Sequence, residues 1–413
     1  MLFVYRILIN LIFFFSPIII IYRIFKKKES LKRFKEKFCL FSNSKKKGNL
    51  IWFHGASVGE LQSIIPILEK LERNNRINQI LVTSNTLSSS KVIEKYKFKK
   101  LTHQFFPIDT NFLSEKFLNY WKPSAAFFID SEIWPNMIFN LKKKNIPIIL
   151  LNGRITKKTF QNWSILSKFA SEIFQKFDLC LASSKESKKY LIKLGNKKVK
   201  LIGNLKYSQS ENEKIYIDSR LKNFIKKKKT WCASSTHETE EFFCGMVHNQ
   251  LKKRYKNFLT IIIPRHIERV KNIEENLKRI NLKVHLHEPK KKIEKDIDIY
   301  LVNSYGKTKS FYINCKNIFL GGSIVGHGGQ NPLEATKFGC NIIHGPYIEN
   351  FKEIYEFLKM NKISTVVKSQ KEMIDAIDKF LNKKTSSKSL IKKFNLIGQK
   401  ILYKTYKEIS FFL

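Results

Sequence analysis

The sequence predicts an α/β protein made of two doubly wound, largely parallel sheets. Short apolar runs recur from Leu50 to Val367, and segments with apolar residues at helical spacing lie between them, such as Leu61, Ile64, Ile65 and Leu68. Strands that alternate with helices must pair in parallel, with the helices covering both faces of the sheet. The alternation is interrupted once, by the lysine-rich segment Glu211–Lys229, which leaves a series of similar size on each side. Two such domains facing each other across a cleft would bind ligands beyond the carboxyl ends of their strands.

The chain opens with an almost purely apolar stretch, Ile7 to Tyr22, followed at once by Arg23 and the triplet Lys26 to Lys28. No small-residue cleavage site follows, which argues against a removable signal peptide and for a membrane anchor over residues 1–25. Positive charge on its C-terminal side places the body in the cytoplasm. Residues 26–49 form a basic amphipathic linker carrying Leu31, Phe34, Phe38 and Leu40; it either lies on an anionic membrane face or is solvated with a few packed aromatics.

In the first domain, residues 50–210, the expected strands are Leu50–Phe53, Gln79–Thr83, Ala125–Ile129, Pro147–Leu151, Leu179–Ala182 and Val199–Ile202. In the second, residues 211–413, they are Thr230–Ala233, Phe258–Ile263, Lys283–His287, Ile299–Val302, Ile318–Leu320, Asn341–Ile343 and Thr365–Val367. A last helical stretch, Leu390–Phe412, is expected to pack back on the first domain.

The formal charge of +43 implies an anionic partner such as nucleic acid, an acidic membrane or a phosphorylated substrate. The lysines are nevertheless dispersed, with no concentrated basic stripe and no known binding module, so no nucleic-acid partner is expected. Six cysteines stand without metal-ligand spacing, as expected of buried reduced thiols. No metal site is expected.

Four segments carry candidate chemistry. After the first strand, His54 to Glu60 puts Glu60 at a strand end that opens a helix. There it serves either as a general base or as a partner for the helix dipole. After Ile129, Asp130 and Glu132 form a second acidic pair beside Trp134-Pro135. After Ile263 come Pro264, Arg265, His266 and Arg269, with arginine suited to phosphate and a salt bridge to Glu268 as the plainer role for Arg269. The segment Gly321–Thr336 carries five glycines before Asn331. Asn331 reads as N-cap, Pro332 as the first helical position and Glu334 as the partner in a capping box, a helix start able to receive a phosphate. His237 to Glu241 reads as a helix start with acids in its first turn.

In this order the segments resemble the 3-deoxy-D-manno-octulosonic acid (Kdo) transferase family, together with Asn152 to Arg154, Gly203-Asn204, and Gly345-Pro346 followed by Asn350-Phe351. The resemblance covers nearly the whole chain. It implies a GT-B fold and inverting transfer of Kdo from CMP-Kdo to lipid IVA at the inner membrane, without a metal or other cofactor. It makes Glu60 the catalytic base and Glu132 a second acid supporting the acceptor. Pro264, Arg265, Tyr305, Gly306, Lys307, Asn331, Pro332, Leu333 and Glu334 would line the CMP site. Where family members usually carry an Asp-Thr-Met-Gly-Glu-like run, this chain has Asn303 to Lys307; Gly306 survives, and an acid is replaced by Lys307. Gly326 and Gln330 also vary around the glycine loop. Another membrane-associated GT-B transferase using a different nucleotide sugar, or a membrane-tethered nucleic-acid binder, are the alternatives.

Overall fold

The computed structural model describes residues 1–26, 28–208, 218–288, 293–382 and 387–413, so Lys27 of the basic triplet and the first part of the lysine-rich break lie outside it. The chain forms two compact units, Met1–Ser210 with Ile397–Leu413, and Glu211–Leu396. Among the described residues each unit holds one seven-stranded, all-parallel sheet with its own hydrophobic core.

The first sheet comprises β1 Leu50–His54, β2 Gln79–Ser84, β3 Leu101–Phe105, β4 Ala125–Ile129, β5 Ile148–Gly153, β6 Leu179–Ala182 and β7 Val199–Leu201, in the order β3-β2-β1-β4-β5-β6-β7. The second comprises β8 Lys229–Thr236, β9 Phe258–Pro264, β10 Val284–Leu286, β11 Ile299–Leu301, β12 Asn317–Leu320, β13 Asn341–His344 and β14 Ser364–Val366, in the order β10-β11-β9-β8-β12-β13-β14. Both are doubly wound α/β sheets of the GT-B kind. The winding reverses between β1 and β4 in one and between β8 and β12 in the other. Loops leaving neighbouring strands at such a reversal diverge and leave a crevice at the carboxyl edge.

The central strands read as unbroken apolar runs because they are covered on both faces. Every residue of β1 and β4 is buried. Trp52 of β1 packs on Phe117 and Phe128, and its indole N–H donates to Thr83 Oγ1 at 2.9 Å. Truncating such a residue to alanine costs about 3–5 kcal/mol. β3 escapes the sequence reading because Thr102, His103 and Gln104 interrupt its apolar run. Burial of His103 is matched by partners far along the chain, Ser84 Oγ at 2.9 Å and the Arg33 guanidinium at 2.9 Å.

The N-terminal helix, Leu2–Phe25, is docked along the first unit. Leu2, Tyr5, Arg6, Ile9, Phe13, Ser16, Ile20, Arg23 and Ile24 are the helix positions withdrawn from solvent, and their spacing of three or four marks one face. Tyr5 donates its hydroxyl to Asp109 at 2.8 Å, and Arg6 donates to Asn136 and Asn111 at 2.9 and 2.7 Å. At the far end Arg23 and Lys37 both pair with the buried Glu29 carboxylate. The other face presents Phe3, Ile7, Leu11, Phe14, Ile18 and Phe25 to solvent.

Among the described residues of 26–49, several side chains pack inward. Glu36 is buried, gripped by Arg33 at 2.8 and 3.1 Å, and accepts the Phe105 backbone N–H at 2.8 Å. Cys39 is buried, and Phe41 stacks on Tyr120. Leu31 and Leu40 remain exposed. All six cysteines are buried and unpaired.

Asp109 is the polar knot of this docking, accepting from Tyr5, Asn136 N–H, Met137 N–H and Ser114. Burial pushes its carboxyl up to about 7 against those hydrogen bonds. Tyr5→Phe removes one donor from a buried acid and is expected to cost about 1–3 kcal/mol, measured by denaturant unfolding in detergent. An unchanged midpoint would mean the helix contributes nothing to the fold.

Candidate functional site

In the first unit, β1 ends at His54 and a tight turn leads into helix Val58–Glu72. Ser57 is the N-cap. Its Oγ accepts the Glu60 backbone N–H at 3.3 Å and donates to Glu60 Oε1 at 2.6 Å, while Glu60 Oε2 accepts the Ala56 and Ser57 N–H groups at 2.7 and 3.4 Å. The capping box expected near Asn331 is therefore formed by Glu60. The cap holds its carboxylate at the carboxyl edge beside β4. Burial raises the Glu60 carboxyl, the Ser57 hydrogen bond lowers it, and the charges of Asp130 and Glu132 raise it; the net shift is upward.

Glu132 moves the other way. Burial pushes it up, but the hydrogen bond and charge of His54 and the Trp134 indole N–H outweigh that. Its Oε2 lies 3.2 Å from His54 Nε2 and 2.9 Å from Trp134 Nε1. Thr83 Oγ1 stands 2.9 Å from His54 Nδ1 and fixes the ring from behind. Two neighbouring carboxyls with opposite shifts are the pattern by which one site divides acid–base duties. Glu60 is shifted upward and Glu132 downward.

Asp130 supplies the third acid, with φ +56°, where a non-glycine residue is strained by about 1–2 kcal/mol. It is held there by the Asn152 amide and by Lys206, whose Nζ lies 2.9 Å from Oδ2. Asn152 also has positive φ, and its Oδ1 accepts the Leu205 N–H at 2.8 Å. Gly203 lets the chain return to this point: at φ +110°, an added Cβ would come within 3.0 Å of Ile401. Sequence reading finds Glu60, Asp130 and Glu132 because each follows an apolar run. It misses the bonds of His54, Thr83 and Lys206, which join distant strands.

In the second unit a cavity of about 300 Å3 opens at the carboxyl ends of β8, β9 and β12. Pro264, Arg265, Tyr305, Gly306, Lys307, Asn331 and Glu334 line it. Pro332 and Leu333 are buried and are not in its wall. The side chains of Arg265 and Lys307 hold no hydrogen bond or ion pair to a described residue, so two cations stand open to an anionic ligand. Arg269 does not: it grips Glu241 through both Nη atoms at 3.1 Å, not Glu268. His237 to Glu241 is indeed a helix start, with both first-turn glutamates buried.

The glycine segment differs from its sequence reading in two respects. The helix is Leu333–Lys337, with Pro332 at the N-cap, and Asn331 Oδ1 accepts the Leu333 N–H at 3.1 Å. A helix of five residues has a weak dipole end. The loop's first N–H groups are also already used. Glu240 accepts Gly322 N–H at 2.7 Å, Ser323 and Ile324 N–H at 3.1 Å, and His237 N–H at 2.9 Å. The first part of the glycine loop thus cradles an internal carboxylate.

Two doubly wound sheets, each with polar side chains gathered where its winding reverses, define the two-domain α/β GT-B class. The backbone of UDP-GlcNAc 2-epimerase from Neisseria meningitidis, solved bound to UDP-GlcNAc, shares this fold: TM-score 0.59 at 14% identity, covering 87% of this chain and 100% of that one. Within that class the chain belongs to the 3-deoxy-D-manno-octulosonic acid transferase family and is a glycosyltransferase. The family model for 3-deoxy-D-manno-octulosonic-acid transferase (kdotransferase) matches residues 32–209. A 3-deoxy-D-manno-octulosonic acid transferase of Rickettsia bellii is 31% identical over 379 residues, 89% of this chain and 88% of the relative. A probable mitochondrial 3-deoxy-D-manno-octulosonic acid transferase of Arabidopsis thaliana is 31% identical over 398 residues, 92% and 88% of the two chains.

Replacing Glu240 by Gln puts an amide NH2 against backbone donors that need an acceptor. Each N–H left unmatched costs about 1–3 kcal/mol. Faster amide exchange at Gly322 to Ile324 and a lower unfolding temperature are expected; native protection there would show that the loop holds its shape without the carboxylate.

Proposed function

We propose that the protein is an inverting transferase that moves Kdo from CMP-Kdo to lipid IVA in lipopolysaccharide biosynthesis. The observation that carries this reading, beyond family membership, is the split between Glu60 and Glu132 at the winding reversal of the first sheet. A hydroxyl of the acceptor attacks the anomeric carbon of the donor. Its proton passes to Glu60, and the bond from that carbon to the phosphate oxygen breaks, with the electron pair leaving on CMP. Glu132, oriented by His54 and Trp134, supports the acceptor as an ionised hydrogen-bond acceptor. CMP binds in the cavity of the second unit, its phosphate met by Arg265 and Lys307 and the rest by Pro264, Tyr305, Gly306, Asn331 and Glu334. Fixed cations that receive the leaving group's charge give this site a route that uses no metal.

The exposed apolar face of the N-terminal helix attaches the enzyme to the inner membrane, with the body on the cytoplasmic side. At 1.5 Å per residue the helix is about 36 Å long, enough to cross a bilayer by length and composition. Its whole docked face is held to the first unit, so it lies in one leaflet instead of crossing. The lipid acceptor would then be met at the surface where it resides, and the chain's positive charge favours an anionic membrane.

Glu60→Gln should lower kcat by about 10^2–10^4-fold while CMP still protects against thermal unfolding. Near-normal turnover would remove Glu60 as the base. Because its carboxyl is shifted upward and must be ionised to act, kcat/KM should fall as pH drops, with a midpoint above that of an ordinary glutamate. Glu132→Gln removes a charge that raises Glu60, so the surviving activity should have its acid limb at lower pH; an unmoved limb would uncouple the two acids. Arg265→Ala should weaken CMP binding about 10-fold or more, and protection by UDP in place of CMP would point to a different donor.

A further inference from the structure

Three histidines lie together at the carboxyl ends of the three central strands of the second sheet. His237 follows β8, His266 follows β9, and His327 lies in the glycine segment after β12. The His237 and His327 rings stack with centroids 4.3 Å apart and 25° between planes, and His266 stands edge-on to His237 at 5.8 Å. The group borders the donor cavity: Gln330, in its wall, places Nε2 3.1 Å from His237 Nε2, and Arg265 is in the wall too. Gly322, at φ +64°, makes room for this arrangement, since a Cβ there would come within 3.1–3.2 Å of the His237 ring and 3.3 Å of the Gln330 amide.

Such a cluster is poorly explained by stability. Burial, followed by the charges of His327, His266, Arg265 and Arg269, pushes His237 down to about 4. The nearby carboxylates are mostly engaged elsewhere, Glu240 by four backbone N–H groups and Glu241 by Arg269. Of the three histidines Glu268 pairs with His266, at 3.4 Å, and it also accepts the Tyr305 hydroxyl. His237 and His327 therefore sit where the local potential is positive and where an anion would relieve the crowding.

The donor offers a second anion beyond its phosphate. An octulosonic acid carries a carboxylate on the same anomeric carbon that bears the phosphate, whereas an aldose donor carries hydrogen there. We propose that His237 and His327, with His266 closing the edge, receive that carboxylate and select a ulosonic-acid donor. This rests on the donor reading given above and extends it from the nucleotide to the sugar.

The test compares two ligands on the full-length protein. His327 is exposed, so His327→Ala is expected to fold normally; His237→Ala is checked by its CMP affinity. In both variants the Kd of CMP should stay within about twofold of wild type, while KM for CMP-Kdo rises about 10-fold or more, the loss of a charge-assisted hydrogen bond. His327→Gln, which restores a donor, should recover part of that loss. An unchanged KM for CMP-Kdo in His327→Ala overturns the proposal, as does an equal loss of CMP affinity, which would assign the histidines to the nucleotide. A wild-type protein that fails to bind CMP would instead sink the donor reading on which the proposal stands.

Discussion

Everything chemical in this protein depends on where two parallel sheets reverse their winding. A parallel strand must be followed by a crossover that returns the chain to the opposite edge, and the crossover has one favoured hand. Winding away from a central strand in both directions sends the loops after β1 and β4 apart, and likewise those after β8 and β12. Glu60, Asp130 and Glu132 occupy one such edge, and Arg265, the histidines and the glycine segment occupy the other.

The two edges manage charge in opposite ways. The first gathers three carboxyls and restrains them sparingly: Lys206 pairs with Asp130, His54 shares a hydrogen bond with Glu132, and Glu60 has only hydrogen bonds from its own helix cap. Burial first, and then the charges of Asp130 and Glu132, raise the Glu60 carboxyl. The second edge leaves cations unanswered and consumes its backbone donors internally through Glu240. The local charge at the first edge disfavours an anionic group, and that at the second favours one. A capping box, normally a local stability device, here also fixes the Glu60 carboxylate at the strand edge.

The sequence makes the fold legible because buried parallel strands need little besides apolar residues, so Leu50 to His54 or Phe258 to Ile263 announce themselves. β3 does not, since the partners that let His103 be buried lie in another part of the chain and leave no local pattern. The same division runs through the sites. Acids and arginines that follow an apolar run can be placed at a strand end by reading alone. Whether a given group is free to act is decided across the fold. Arg265 and Arg269 stand four residues apart and look equivalent, yet Glu241 claims only the second. The glycine loop looks like an open anion site, and only its three-dimensional neighbour, Glu240, shows that its first donors are already taken.

The N-terminal helix has a consequence for how the molecule is handled. Its inner face supplies a hydrogen-bond donor to Asp109 and side chains to the core of the first unit, so it is a wall of that domain. Cutting it away to obtain a water-soluble enzyme would strip a polar knot of one of its donors and open apolar core to water in the same stroke. Swapping it for an unrelated hydrophobic helix would do likewise, because the replacement would lack Tyr5 and Arg6 at the right turns. Solubility and integrity are coupled through one surface, and detergent serves this protein better than truncation.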